Sequence, residues 1–185
     1  MSLKKIAGTK WLKFFTRTYK DKNGVERKWD FCSRKDNPDD DSPRADAVCV
    51  VPFLEDGRMV IIKQGRGTLN GYLIENVAGI HDQPTVLETA VKELKEETGL
   101  ECYDPIVFED KLYNSIGITD ESCSYVFCKA KGEPSTEFLE ESEDIEVIIV
   151  DREQARQLMD EEIFSAKIWL ILLAYSNGFD WLSVK

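Results

Sequence analysis

Residues 85–100 run Thr-Val-Leu-Glu-Thr-Ala-Val-Lys-Glu-Leu-Lys-Glu-Glu-Thr-Gly-Leu and spell an amphipathic helix with a marked stop. At 3.6 residues per turn, Val86, Leu87, Ala90, Val91 and Leu94 share an arc that would bury against a core. Pro84 suits a first helical position, and Gly99 suits the left-handed residue that ends a helix. Three carboxylates adjoin the apolar arc. With Glu93 as reference, Glu96 and Glu97 fall about 60° to one side and about 40° to the other. Glu88 and Lys92 make a well-oriented pair four residues apart. Glu93 and Glu97 are a like-charge pair with no lysine four residues on, which costs roughly a few tenths of a kcal/mol. A divalent cation would turn that repulsion into ligation, because Mg²⁺ takes oxygen ligands of this kind. A solvated acidic face is the plainer reading, and spacing alone does not separate the two.

Composition narrows the classes. A chain of 185 residues can bury one real core and carry a small appendage. No apolar run approaches 18 residues, so no spanning helix and no membrane partner are expected. Met1-Ser2-Leu3-Lys4-Lys5 lacks the apolar segment of a signal peptide. Five cysteines without metal-ligand spacing predict reduced thiols and a cytoplasmic location. Cys49, inside the apolar run Ala47–Val51, reads as a small core residue. The formal net charge of -11 argues against a nucleic-acid partner. An anionic small molecule stays open, provided that metal bridges its charge. His81, the single histidine, reads as a loop residue and rules out a histidine-based metal site.

The order of segments predicts a mixed sheet between helices. Lys10–Lys35 reads as two or three strands around Asp21-Lys22-Asn23-Gly24, whose Asn-Gly is a strong hairpin signal. Asp36–Pro43 is a polar connection. Asp46–Phe53 and Arg58–Gln64 are apolar strands joined by Glu55-Asp56-Gly57. After the acidic helix come strands near 104–113, 122–130 and 144–150. A helix over 151–159 follows an aspartate cap, and a last helix over 165–176 buries Ala166, Ile168, Trp169, Leu172 and Leu173.

With its surroundings, the acidic helix resembles a Nudix box: glycine, five residues, glutamate, seven residues, then Arg-Glu-aliphatic-x-Glu-Glu-x-Gly-aliphatic. Ala78-Gly79 opens that pattern and Lys92–Leu100 closes it. Further segments are similar to the ADP-ribose pyrophosphatase branch: Lys10-Trp11-Leu12, Gly24–Trp29, Ile62-Lys63-Gln64-Gly65-Arg66, Tyr72–Gly79, Tyr113–Glu121 and Glu141-Ser142-Glu143-Asp144-Ile145. The box departs from the pattern in three ways. Thr85 stands where counting forward places the glutamate, the loop is one residue short, and Lys92 replaces the arginine. A lysine is a point charge and does not copy the arginine fork.

The resemblance implies an α/β Nudix fold, with a mixed β-sheet in an α/β/α sandwich. Residues 1–43 would form an N-terminal antiparallel β-hairpin appendage for dimerisation and adenine stacking, and 44–185 the catalytic domain. It also implies Mg²⁺, with Mn²⁺ as an alternative, held by Glu93, Glu96, Glu97 and the Ala78 carbonyl. Glu141, with Glu143 as its nearest competitor, would orient the attacking water. Trp11 and Trp29 would sandwich an adenine from two subunits, Arg34 and Arg66 would clamp phosphates, and Glu75 would lie near ribose or metal. The implied reaction is hydrolysis of the pyrophosphate of ADP-ribose or a related nucleoside diphosphate sugar, by a homodimer with swapped N-terminal strands. The rival readings are a UDP- or GDP-sugar pyrophosphatase and a Nudix domain that senses a nucleotide sugar without cleaving it.

Overall fold

The computed structural model describes residues 1–40 and 42–183. The chain divides into two compact units, Met1–Ala47 with Asp110–Ser124, and Val48–Glu109 with the chain from Tyr125 on.

The first unit carries a three-stranded antiparallel sheet in the order β1-β2-β3, with β1 (Ser2–Gly8), β2 (Lys13–Lys20) and β3 (Glu26–Ser33). The Asn-Gly turn forms as expected. Asp21 Oδ1 accepts the Asn23 and Val25 amide N–H groups at 2.9 and 3.0 Å, and β2 and β3 pair in full from Lys13↔Ser33 to Lys20↔Glu26. Phe15 and Phe31 face each other in that register and stack with centroids 5.7 Å apart. Strand β1 extends the expected hairpin to a sheet. It lies exposed along nearly all its length, so burial imprinted no apolar alternation on its sequence. Residues 110–124 join this unit through specific bonds. The Cys32 N–H donates to the Ile118 carbonyl at 2.8 Å, Ser33 Oγ lies 3.1 Å from Asp120 Oδ2, and Asp46 Oδ2 accepts from Ser122 N and Oγ at 2.9 and 2.8 Å.

The remaining elements are β4 (Ala47–Phe53), β5 (Met59–Arg66), β6 (Gly71–Glu75), β7 (Val77–Ile80), α1 (Val86–Thr98), β8 (Glu101–Tyr113), β9 (Ser122–Lys131), β10 (Ile145–Val150), α2 (Arg152–Glu161) and α3 (Ala166–Ser176). They build a mixed sheet in the order β10-β5-β4-β9-β8, with β6 on β5 and β7 on β4. Strand alternation sorts the core into two layers. Val48, Val50, Val60 and Ile62 pack with Ala90 and Leu94 of α1. Val51, Phe53, Met59 and Ile61 pack with Ala155 of α2 and with Ile168 and Leu172 of α3. Burial on both faces explains why β4 and β5 read as unbroken apolar runs. This is the expected α/β/α sandwich. Among the described residues, no helix is long and apolar enough to cross a membrane.

Four local expectations are corrected. Helix α1 begins at Val86 and is capped by Thr85, so Pro84 lies before the cap. Its buried arc is rotated: Val91 is 43% exposed, whereas Glu93 and Glu97 are 7% and 2% exposed. Glu88 closes the cap on Thr85, and Lys92 bonds elsewhere. On α3, Ile171 and Tyr175 are buried, while Trp169 and Leu173 stand partly exposed.

Candidate active site

Helix α1 holds its position through both ends. Thr85 and Glu88 form a reciprocal capping box, and Gly99 takes the left-handed conformation (φ 73°) that donates its N–H to the Lys95 carbonyl at 2.9 Å. Leu94 and Ala90 seat the helix on the sheet. Glu93 and Glu97 therefore turn inward, against the backbone of β7. The Ala78 N–H donates to Glu97 Oε2 at 3.2 Å. A Cβ on Gly79 would lie 2.0 Å from the Glu93 carboxyl carbon, so this carboxylate occupies the space that glycine leaves.

Burial dominates the electrostatics here. It pushes the Glu97 carboxyl up to about 9, against the Ala78 N–H, with the charges of Glu93 and Glu143 adding to the rise and Arg66 opposing it. Burial also raises Glu93, and Lys92 offsets part of that rise. The Lys92 ammonium lies 3.1 Å from Glu93 Oε1, 3.2 Å from Glu96 Oε2 and 3.3 Å from Asp82 Oδ2. Burial works against this cation, but its bonds to Glu93, Glu96 and Asp82 hold its pKa above the ordinary lysine range. A lysine has three donors and uses them on three carboxylates, in place of the planar fork of an arginine.

Around this centre stand residues from three strands and a loop. Arg66, on β5, pairs with Glu75 of β6 through Nε and Oε2 at 2.6 Å. In the loop before β10, Glu140 N donates to Glu143 Oε2, and Glu143 N to the Glu140 carbonyl, both at 3.0 Å. Glu143 is half-buried and near enough for its charge to act on Glu97, whereas Glu141 is exposed. One unit thus brings together Arg66, Glu75, Ala78, Glu93, Glu96, Glu97 and Glu143. Trp11, Trp29 and Arg34 belong to the other. Trp29 lines a cleft of about 200 Å³ with Arg17, Phe31, Pro38 and Ile116. Trp11 is 60% exposed beneath the Lys10 ammonium, and Arg34 Nε is tied to Glu121 Oε1 at 2.6 Å.

To four residues of the second unit the sequence assigns no role. Asp82 shares Lys92, and Tyr72 donates its hydroxyl to Asp144. Gln64 is 7% exposed, and its Oε1 has no donor. Strand alternation from Ile62 puts Gln64 on the α1 side of β5. Its signal was its place two residues before Arg66, which period-2 reading could have used.

The donor set suits a hard divalent cation: three carboxylates and a backbone carbonyl supply oxygen alone, and a buried acid at Glu97 lacks a full counter-charge. Among the described residues, no three His, Cys, Asp or Glu groups are so arranged that they could hold a metal ion as they stand. Lys92 takes up part of the charge of Glu93 and Glu96.

Residues 43–170 match the NUDIX domain family. The chain is 29% identical over 159 residues to the ADP-ribose pyrophosphatase of Saccharomyces cerevisiae, covering 80% of this chain and 68% of that protein. It is 33% identical over 122 residues to the ADP-sugar pyrophosphatase of Mus musculus, covering 59% of this chain and 53%, about half, of the mouse protein. A solved structure, that of an ADP compounds hydrolase, superposes with a TM-score of 0.73 at 19% identity, over 96% of this chain and 94% of that one. At that identity the superposition speaks for the fold, and the match over residues 43–170 speaks for descent. The chain belongs to the NUDIX domain family, among relatives that are ADP-ribose and ADP-sugar pyrophosphatases.

Proposed function

We propose that this chain hydrolyses the pyrophosphate bond of ADP-ribose or a related nucleoside diphosphate sugar, giving a nucleoside monophosphate and a sugar phosphate. The observation that carries this reading is the inward turn of Glu93 and Glu97 against Ala78-Gly79, with Glu143 and Arg66 close enough to shift Glu97. Mg²⁺, or Mn²⁺ in its place, held by Glu93, Glu96, Glu97 and the Ala78 carbonyl, would neutralise the diphosphate and acidify a water.

The chain's own groups do the rest. Glu97, held protonated at neutral pH by its burial, would give up that proton on ligating a cation. Arg66, fixed at Nε by Glu75, offers its remaining donors to phosphate oxygens. Glu143 takes the proton of the attacking water as its oxygen bonds to phosphorus and the bridging oxygen leaves with the other phosphate. Glu141 is the other candidate in this loop. The appendage, residues 1–43, would dimerise by strand exchange, so that Trp11 and Trp29 stack the adenine from two subunits. Arg34 would reach phosphate by leaving Glu121. A cytoplasmic enzyme acting on small molecules agrees with the net charge of -11 and with five cysteines that form no disulfide.

The test is hydrolysis of ADP-ribose with Mg²⁺, with and without EDTA, beside UDP- and GDP-sugars. Turnover of ADP-ribose that EDTA abolishes supports the reading, and a preference for UDP- or GDP-sugars reassigns the base. Tight binding of ADP-ribose with no turnover of any substrate would replace hydrolysis by sensing. One observation favours that second reading, the ammonium of Lys92 among the carboxylates.

A further inference from the structure

The Glu140–Asp144 loop is anchored at one residue. Asp144 accepts the Tyr72 hydroxyl through Oδ2, and its carbonyl accepts the Gly65 N–H at 2.9 Å. Both partners sit where the β5–β6 ladder fixes them, since Gly65 and Tyr72 are opposed in register. Asp144 is thus tied by side chain and by backbone to a rigid pair of strands. The residue before it, Glu143, is half-buried in this loop and folds back onto Glu140. Among the described residues, Glu143 makes no bond of its own to the sheet. Its placement depends on its neighbour.

The geometry points to Tyr72 and Asp144 as positioning residues that hold Glu143 in place to receive a proton from the attacking water. This rests on the hydrolytic reading above. Neither residue need touch substrate. Tyr72 is 49% exposed, so losing its hydroxyl opens no cavity in the core and leaves no buried group unsatisfied. What the hydroxyl supplies is restriction of the loop. Displacement of a general base by about 1 Å can cost about a hundredfold in rate.

The experiment compares kcat and KM for ADP-ribose among wild type, Tyr72→Phe, Asp144→Asn, Asp144→Ala, Glu143→Gln and the Tyr72→Phe/Glu143→Gln double variant. Thermal melts of each check that it folds. Tyr72→Phe and Asp144→Ala should lower kcat about 10- to 100-fold, with KM changed by less than about twofold. Asp144→Asn keeps an acceptor for the phenol and should recover most of the rate that Asp144→Ala loses. In the Glu143→Gln background, Tyr72→Phe should cost nothing further, because its effect passes through Glu143. A wild-type rate in Tyr72→Phe, or the same fold-loss with and without Glu143, overturns the positioning role while leaving hydrolysis intact. A wild type that cleaves no substrate in the panel removes the reaction, and the positioning role falls with it.

Discussion

Glu97 pays for its location in a measurable way. Its carboxyl is 2% exposed, and burial lifts its pKa to about 9, well above the value an unfolded chain gives it. Between the ordinary glutamate range and about 9, the unfolded state has lost the proton and the folded state still holds it. Stability without metal should therefore fall as pH rises through that window. Glu97→Gln should remove much of that slope, giving a metal-free Tm at pH 8.5 about 5 °C above wild type. The same substitution should cut turnover at least about a hundredfold. A pH-independent wild-type Tm would show that Glu97 is ionised and neutralised in some other way. Gly79→Ala tests the same spot from the other side. Its Cβ would meet the Glu93 carboxyl at 2.0 Å, so the carboxylate must move, and activity should drop by more than about tenfold. The two loop acids should part company: Glu143→Gln should lower kcat about a hundredfold or more, and exposed Glu141→Gln should change it little.

Helix α1 shows what pattern reading captures and where it stops. Its extent, its glycine stop and its acidic cluster were legible, because periodicity and Gly99 mark them directly. The rotation of its buried arc was not. An apolar count assigns Val91 inward and Glu93 outward, whereas the chain buries Glu93 and Glu97 and leaves Val91 in solvent. A helix that ligates or polarises something must bury polar groups, and a hydrophobic template scores that as error. Lys92 was misjudged for a related reason, since a flexible stem reaches Asp82, which lies outside the helix and outside any i,i+4 rule. The cap gives a clean check. Thr85→Ala removes the side-chain arm of the capping box, leaves the residue-85 N–H to the Glu88 carboxylate, and should cost about 1 kcal/mol in urea denaturation with an unchanged m-value. Strands β6 and β7 were visible as a family segment and not as strands, because each is short and broken at Asn76.

For the assembled protein, the layers of the sandwich followed from the two-sided burial of β4 and β5, which the sequence displays as apolar runs. The appendage was half visible: the Asn-Gly turn announced β2 and β3, and exposed β1 announced nothing. The proposed recognition of adenine belongs to this level, since it would draw Trp11 and Trp29 from two copies. Size-exclusion chromatography with light scattering at micromolar protein should give twice 21.2 kDa. A monomer that still cleaves ADP-ribose would leave the chemistry standing and remove the shared aromatic clamp.

Lys92 has one more effect, on how the protein can be handled. An ammonium already seated between Glu93, Glu96 and Asp82 supplies part of the positive charge that a divalent cation would bring. Dialysis against a chelator should therefore silence the enzyme without melting it, and adding back magnesium should restore the full rate. Replacing that lysine with methionine should turn a reversible off-state into an unstable one.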